Sequence, residues 1–199
     1  MQYTKRDWRN RNKIKTPNGL KWLTVPVEVK GKFFQKIKDT KVSQPDWCVK
    51  HLEILKHNYS KSPHYKDIMP LIEELYAHAK SLNTISEVNA LFIKRICTFL
   101  GISTVISNSW DYELIGDNPT DKLVNICLQM EATDYYSGPA AQNYMDVSAF
   151  EDKGVKVHYY DYSGYPEYPQ LHGEFEHGVT VLDMLFNLGD NASKYFKFS

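Results

Sequence analysis

"DYYSGPAAQNYMD", residues 134–146, is the stretch that most strongly indicates the fold. It begins with the aromatic residues Tyr135 and Tyr136, which favour a strand, and it breaks at the sequence Ser-Gly-Pro, residues 137–139. Small and amide side chains follow the break. Such a break marks the point where a strand ends and a loop begins. The break is therefore either a plain turn or a loop that holds a ligand.

The residues on either side of this stretch alternate between strand and helix patterns. The runs 103–107 and 155–161 are rich in β-branched and aromatic residues, whereas helices are predicted to begin at 118–120 and to cover 147–152. This order is typical of an α/β fold, and it predicts a mostly parallel sheet with Rossmann-like βαβ units. In such sheets ligands bind at the carboxyl ends of strands, where residues 137–139 lie.

Toward the amino terminus, "WRNRNKIKTPNGLKWLTVPV", residues 8–27, predicts a β-hairpin with its turn at 17–19. Residues 29–42 are predicted to form a loop with short extended segments. The sequence as a whole predicts a single domain, 1–199, which consists of a basic hairpin region, a helical layer and an α/β core at 1–42, 43–101 and 102–199.

Helical patterns fill the middle region and return near the carboxyl terminus. Ser43 or Asp46 is suited to cap a first helix, and Pro70 is expected to begin or kink a second one. Apolar residues recur at helical spacing over 82–99 and stop before Gly101. "TVLDMLFNLG", residues 180–189, predicts a further helix that is capped by its threonine and stopped by its glycine.

The charge is distributed unevenly along a chain whose net charge is zero. Residues 1–63 hold 15 Lys and Arg against 5 Asp and Glu, whereas residues 64–199 hold 9 against 19. Such an asymmetry indicates a site for phosphate or nucleic acid, or two parts that attract each other across one domain. Both interpretations stay open at this point.

Composition narrows the class of protein. Hydrophobic residues make up 42% of the chain, no apolar run is long enough to span a bilayer, and no signal peptide is recognised, so we expect a cytoplasmic globular protein. The cysteines Cys48, Cys97 and Cys127 form no CxxC pair. Cys97 and Cys127 are expected in the core, and the place of Cys48 stays open, with a catalytic thiol less favoured. Nucleic acid is not an expected partner, because no recognised binding module is present.

The first candidate site is the basic strand of the hairpin. Strand alternation places Arg9, Arg11, Lys13 and Lys15 on one face and the amides Asn10 and Asn12 on the other. Guanidinium and ammonium groups suit phosphate or carboxylate ligands. The alternative is a solvated edge strand whose charges prevent aggregation.

The second candidate is the loop that follows the strand at 134–137. Gly138 permits close approach of the backbone to a ligand, and Ser137 and Tyr144 offer neutral hydrogen bonds. Neither of the standard glycine-rich phosphate motifs is present. The alternative is an ordinary turn.

The third candidate is "YPEYPQLHGEFEH", residues 165–177, which contains Gln170. Its His172, Glu174 and His177 match no standard metal site, so the sequence predicts no bound metal. A rigid, proline-shaped loop over a pocket is the favoured interpretation.

The fourth candidate is the pair Lys50 and His51, on the first predicted helix. The imidazole of His51 titrates near neutral pH and could serve as a general base. The alternative is a structural histidine that is partly buried.

Six segments, in this order and spacing, closely resemble the WbqC-like family of bacterial proteins nearly from end to end. They are "YTKRDWRNRNKIKTPNG", "WLTVPV", "WCVKHLEILKHNY", "TDKLVNIC", "DYYSGPAAQNYMD" and "YPQLHGEFEHGVTVLDMLFNLG". The positions that match the family pattern are Lys5, Trp8, Arg11, Asn12, Lys50, His51, Thr120, Ser137, Gly138, Pro139, Tyr144, Tyr168, Pro169, Gln170, Asp183 and Asn187.

The resemblance implies a function in the biosynthesis of surface polysaccharides such as O-antigens. Members of the family are described as amino-sugar modifying enzymes, with a glycine or acyl transferase role. A nucleotide-linked amino sugar is then the expected partner. The cofactor stays open between ATP and an activated acyl or aminoacyl donor. Assembly into a homo-oligomer stays open as well.

The resemblance also implies roles for the candidate residues. Arg11 and Lys13 or Lys15 would hold the diphosphate, and His51 would accept the amine proton. Ser137, Gly138 and Gln170 would orient the sugar or the acyl group, and Asn12, Lys50 and Tyr144 would also bind the substrate.

One departure separates this chain from the family pattern. Family members usually begin upstream with a strand and a His-Gln-Pro loop, whereas this chain enters directly at "QYTKRDW", residues 2–8. We therefore expect a chain without that segment, which would form a wall of the active site. The alternative function is a non-catalytic binding or scaffold protein in a polysaccharide-synthesis complex.

Overall fold

The structure is a computed structural model that describes residues 2–4, 8–44 and 46–197. Internal contacts divide the chain into two compact units: the first unit comprises Met1–Ser103 and Tyr165–Ser199, and the second comprises Thr104–Gly164. Each unit has its own hydrophobic core. The single domain expected from the sequence stays a prediction.

The described residues form six α-helices and four β-strands. The helices are α1 (Trp47–Tyr59), α2 (Tyr65–Ala79), α3 (Ile85–Phe99), α4 (Pro119–Gln129), α5 (Ser148–Glu151) and α6 (Val181–Leu188). The strands are β1 (Arg11–Thr16), β2 (Gly19–Thr24), β3 (Asp134–Ser137) and β4 (Lys156–Tyr159). None of the helices in this part of the chain is long and apolar enough to cross a membrane.

Strands β1 and β2 form the hairpin that the sequence predicts. They pair antiparallel, from Arg11 opposite Thr24 to Thr16 opposite Gly19. The turn between them holds only Pro17 and Asn18, and Gly19 has a φ of 95°, which favours glycine. Turn chemistry that is local in sequence therefore sets the register of the pair.

The three predicted helices of the middle region are confirmed as α1, α2 and α3. The hydroxyl of Thr84 accepts a hydrogen bond from Glu87 N, and the Glu87 carboxylate accepts one from Thr84 N in return, so a capping box begins α3. Helix α2 runs through Pro70. Pro70 therefore does not begin this helix as one expectation had it. Because proline has no N–H, the helix lacks one backbone hydrogen bond there, and the proline ring crowds the carbonyl one turn earlier.

The core of the first unit packs these helices against α6 and the hairpin. Its fully buried side chains include Tyr59, Ile72, Leu185 and Phe186. Tyr59 and Phe186 stack with their ring centroids 4.8 Å apart. The predicted ends of α6 are both present, since the Thr180 hydroxyl accepts from Leu182 N and Gly189 follows with a φ of 56°.

In the second unit β3 and β4 pair parallel, as predicted, from Asp134 opposite Lys156 to Ser137 opposite Tyr159. Helix α5 lies between them in sequence. The short core of this unit centres on Phe150 and on Tyr135, whose rings stack 4.9 Å apart.

The predicted strand at 103–107 is wrong, because no strand is present there. Val105 is 87% exposed, so this β-rich run has no strand partner and no core to cover it. The described residues contain two sheets of two strands each. The fold is thus mixed α and β, and a mostly parallel Rossmann-like sheet is not confirmed.

Candidate functional site

A cleft of about 400 Å³ opens beside the hairpin of the first unit, and we call it the hairpin cleft. Residues 8–12 form one side of it. Residues from β2, α1, α2, α3 and the start of α6 form the rest. A volume of this size suits a small-molecule ligand.

The floor of the hairpin cleft is apolar, and its polar groups lie mainly at the hairpin. Leu23 and Trp47 are buried in the floor, and Phe92, Ile93 and Ile96 of α3 continue it. Apolar walls with a few polar groups at one side are the usual composition of a ligand site. A ligand that combines an apolar part with an anionic or polar part fits this distribution.

His51 lies in the wall of the cleft with both ring nitrogens engaged. Its Nε2 lies 3.1 Å from the carbonyl oxygen of Thr24, and its Nδ1 lies 3.1 Å from the hydroxyl of Tyr76. Because a carbonyl only accepts, Nε2 carries the proton and Nδ1 accepts from Tyr76. Burial lowers the pKa of His51, although the Thr24 carbonyl opposes part of this effect. The imidazole is therefore neutral at neutral pH.

The geometry around His51 favours the structural alternative over a general base in the unliganded protein. The ring also packs edge-on against Trp47, with centroids 5.1 Å apart. To act as a base, Nδ1 would have to release the Tyr76 hydroxyl and accept a proton from a ligand instead. The catalytic role of His51 stays a prediction.

The polar side of the cleft contains Arg11 and Asn12, and their part in binding a substrate stays a prediction. The guanidinium of Arg11 lies over the ring of Trp22, 4.2 Å from its centroid, and Lys13 Nζ lies 5.3 Å from the same ring. These cation–π contacts fix the orientation of both cations at the surface of the hairpin. Asn12 Oδ1 accepts from the backbone N–H of Lys13.

Asn10, one of the two amides of the first candidate, lines the cleft. Its side chain is buried, and its Nδ2 donates to the carbonyl of Val25 at 2.9 Å. Its Oδ1 is a buried acceptor that has no hydrogen-bond partner among the described residues. A donor group on a ligand would satisfy this oxygen.

Lys15 is buried instead of lying beside Arg11 and Lys13 at the surface. Its Nζ donates to Gln170 Oε1 at 2.9 Å, to the carbonyl of Gly173 at 3.4 Å and to the carbonyl of Glu174. An ammonium group has three hydrogens, so these bonds use its full donor capacity. In this conformation Lys15 does not offer a donor to a phosphate.

Gln170 is the centre of the loop at 165–177. Its Oε1 accepts from Lys15 Nζ and from Glu176 N, and its Nε2 donates to the Glu176 carbonyl at 3.0 Å. Nε2 also lies 3.1 Å from the hydroxyl of Tyr168. The side chain therefore holds the loop closed on itself and against β1.

Asp183 forms a buried polar network that the sequence analysis did not predict. Its carboxylate accepts from the hydroxyls of Tyr59 at 2.8 Å and Tyr168 at 2.9 Å. Burial raises the pKa of Asp183, and the two tyrosine bonds and nearby Lys15 oppose part of that rise. One sequence signal was present: Asp183 and Asn187 are polar residues one helical turn apart in the apolar run 180–189.

Lys50 lies at the surface of α1, outside the hairpin cleft. Its Nζ is 2.7 Å from Asp46 Oδ2, and both side chains are more than half exposed. An exposed pair at this spacing contributes little to stability. The predicted pairing of Lys50 with His51 at a site is not supported by a direct contact.

Ser137, Gly138 and Tyr144 belong to the second unit. Gly138 has a φ of −70° and a ψ of 154°, and a β-carbon there would meet only the hydroxyl of Tyr162, at 3.5 Å. The conformation at 138 therefore does not require glycine. Tyr144 is 77% exposed. That these residues share a pocket with Gln170 and the hairpin stays a prediction.

The histidines of the loop at 165–177 form no metal site in the described part of the chain. No group of three or more His, Cys, Asp or Glu side chains is placed there to hold a metal ion. His172 Nε2 lies 3.0 Å from the carbonyl of Asn58, and His177 packs edge-on against Phe175. Lys5, which matches the family pattern, lies outside the described residues.

Comparisons with known proteins support the resemblance that the sequence motifs carry. The model of the WbqC-like protein family matches residues 1–195. An uncharacterized protein of Mycobacterium tuberculosis (strain ATCC 25618 / H37Rv), Rv1507c, is 47% identical over 198 residues, which cover 100% of this chain and 85% of that relative. No solved structure matches this chain.

Proposed function

The chain belongs to the WbqC-like protein family, and from that premise we propose that it is a transferase that forms an amide on a nucleotide-linked amino sugar during surface-polysaccharide biosynthesis in the cytoplasm. The hairpin cleft is the observation that carries the proposal. It combines a ligand-sized volume, an apolar floor and cationic side chains at one side.

Arg11 and Lys13 bind the diphosphate of the nucleotide sugar in this proposal. Both cations lie over the ring of Trp22, so little side-chain freedom is lost when they bind an anion. Asn12 and the buried oxygen of Asn10 supply neutral hydrogen bonds at the same side of the cleft. Lys15 takes a positioning role, because its donors hold Gln170 and the 173–174 backbone.

His51 acts as the base in the proposed reaction. The amine nitrogen of the sugar attacks the carbonyl carbon of an activated acyl or aminoacyl donor, and the bond to the donor's leaving group breaks. His51 Nδ1 takes the proton that the amine loses, after the Tyr76 hydroxyl has turned away. Its lowered pKa keeps the imidazole unprotonated and so available as an acceptor.

Ser137, Gly138 and Tyr144 of the second unit are proposed substrate-binding residues, and Gln170 of the first unit would orient the sugar or the acyl group. Support for this part comes from the family pattern and from the place of 137–139 at the carboxyl end of β3. Lys50 has no assigned contact with the substrate in this proposal.

A second candidate function is a binding protein without catalytic activity. The hydrogen bonds of His51 and Lys15 favour it. Both ring nitrogens of His51 and all three donors of Lys15 bind groups within the protein. The same hairpin cleft would then bind the nucleotide sugar and hand it to a partner.

The test incubates the protein with nucleotide-linked amino sugars and a panel of acyl and aminoacyl donors, with and without ATP, and follows the mass of the sugar. Transfer by the parent and its loss in His51→Gln support the transferase. Thermal stabilisation by the sugar without any mass change supports the binding protein instead. Neither mass change nor stabilisation across the panel contradicts both functions.

Arg11→Gln separates the hairpin cleft from the rest of the surface in the same assays. We expect about a tenfold weaker nucleotide-sugar affinity, since a charge-assisted hydrogen bond is lost. Arg95→Gln is the matched control, because Arg95 pairs with Glu74 on the surface of α2 and α3. Equal affinities of the two variants would exclude the hairpin cleft as the phosphate site.

A further inference from the structure

Two adjacent phenylalanines are exposed in the segment between the hairpin and α1. Phe33 is 70% exposed and Phe34 is 85% exposed. Single apolar side chains are common on protein surfaces, whereas neighbouring large ones mark surfaces that meet another apolar phase or partner. The proposed transferase function gives these two rings no role.

The segment that carries them is held in place by hydrogen bonds. Gln2 Nε2 donates to the carbonyl of Phe33 at 2.9 Å, and Tyr3 N donates to the carbonyl of Gln35 at 3.0 Å. The Gln35 amide donates to the carbonyl of Glu28 at 2.7 Å. Ile37 packs against the core of the first unit. The exposure of the two rings is therefore a property of an anchored loop, residues 30–38, which we call the Phe33 loop.

The sequence on both sides of the rings is rich in positive charge. Five lysines occur between residues 30 and 41, and all five are exposed: Lys30, Lys32, Lys36, Lys38 and Lys41. The carboxylates near them are Glu28 and Asp39, and the Lys32 ammonium pairs with Glu28. The loop therefore presents apolar rings within an excess of ammonium groups.

We propose that the Phe33 loop attaches the protein to the surface of a bilayer that contains anionic phospholipids. Lysine ammonium groups attract the anionic headgroups, and the two aromatic rings enter the boundary between headgroups and acyl chains. The attachment is peripheral. Headgroup attraction alone or ring insertion alone gives weak membrane binding, and the two together give stable yet reversible binding.

Nucleic acid is the other polyanion that exposed lysines could meet, and the loop is poorly suited to it. The planar fork of arginine and the amides of asparagine and glutamine are common readers of bases, and residues 29–42 contain no arginine and one such amide, that of Gln35. That amide is used on the Glu28 carbonyl. Lysines behave as point charges that suit diffuse headgroup charge.

Vesicle sedimentation tests the proposal with the whole chain. We expect the protein to sediment with vesicles of an equimolar mixture of phosphatidylcholine and phosphatidylglycerol, and far less with vesicles of phosphatidylcholine alone. Added salt should weaken the binding, because it screens the headgroup attraction. Part of the binding should persist in salt, because insertion of the rings is apolar.

The double variant Phe33→Ser, Phe34→Ser removes the apolar part. We expect its vesicle affinity to fall roughly tenfold or more, because the variant loses the transfer of two aromatic side chains from water into the bilayer. Its fold should be retained, because both rings are exposed and the Phe33 contact to Gln2 uses a backbone oxygen. The matched control is Val105→Ser, an equally exposed apolar position in the second unit, which should bind as the parent does.

The double variant Lys30→Gln, Lys36→Gln removes part of the charge. We expect weaker binding to the mixed vesicles and a shallower salt dependence, while Lys66→Gln with Lys153→Gln should leave both unchanged. Failure of the parent to sediment with mixed vesicles overturns the proposal, and so does parent-like binding by the phenylalanine variant. Binding to duplex DNA or single-stranded RNA without vesicle binding also overturns it and assigns the lysines to nucleic acid.

Discussion

Lys15 Nζ lies 2.9 Å from Gln170 Oε1, although 155 positions separate the two residues in the chain. This bond joins the hairpin to the loop at 165–177. The same loop contributes Tyr168, whose hydroxyl donates to Asp183. Hairpin, loop and α6 are thus connected through a continuous set of buried polar groups.

Lys15→Met should destabilise the first unit. The variant removes the ammonium donor from the Gly173 and Glu174 carbonyls and one of the two donors from Gln170 Oε1, so the hydrogen bonds that a buried lysine makes are lost. We expect a loss of roughly 1–3 kcal/mol in the free energy of unfolding, measured by urea denaturation. Lys13→Met is the control, since Lys13 lies over Trp22 at the surface. Equal stability of the two variants would contradict the inferred role of Lys15.

Asp183→Asn should remove a component of the pH dependence of stability. Because burial raises the pKa of Asp183, the folded protein holds this proton more tightly than the unfolded chain does. The contribution of this carboxyl to the free energy of unfolding is fully present below the ordinary Asp pKa and is lost as pH rises through the raised pKa. The unfolding free energy of the parent, relative to the variant, should therefore fall as pH rises from about 3 toward 7. A difference that is constant over this range would argue against a titrating Asp183.

His51→Gln should show the opposite pH behaviour. Burial lowers the pKa of His51, so its contribution is present above the ordinary His value and is lost as pH falls through the lowered pKa. The advantage of the parent over the variant in urea denaturation should then shrink below about pH 6.5. His57→Gln, an exposed position on the same helix, should show no such change. If the proposed transfer is detected, its rate should persist below the pH range of an ordinary histidine.

Gly138→Val should leave the fold intact, and it tests whether the loop at 137–139 binds the nucleotide sugar. The φ of −70° suits any residue, and an added β-carbon meets only the Tyr162 hydroxyl. We expect unfolding free energies within about 0.5 kcal/mol of the parent and loss of thermal stabilisation by nucleotide sugar. The control is Ala140→Val, at an exposed position two residues further along the same segment. A parent-like ligand response from Gly138→Val would remove 137–139 from the site and leave the hairpin cleft as the candidate.

Local signals in the sequence were sufficient for the elements whose ends are set by neighbouring residues. The Pro-Asn-Gly turn predicted the hairpin, and Thr180 and Gly189 predicted α6 together with both of its ends. These features depend on backbone conformations that only a few residue types favour.

Long-range contacts account for what the sequence did not reveal. Alternation placed Lys15 with Arg11 and Lys13, yet a loop more than 150 positions later covers Lys15 alone. At 103–107 β-branched composition did not produce a strand, because pairing requires a partner that composition does not specify. The role of Asp183 depended on Tyr59, a residue that no local pattern connects to it.

The first unit is interrupted in the chain, since residues 104–164 lie between its two parts. During synthesis the hairpin and α1 to α3 therefore emerge before the partners of Lys15 and Tyr59 exist. At the usual speed of translation the interval is on the order of ten seconds. Until those partners emerge, Lys15, Tyr59 and the face of α2 that packs against α6 stay open to water and to chaperones. The second unit, which is continuous in sequence, has its full set of residues once Gly164 is made.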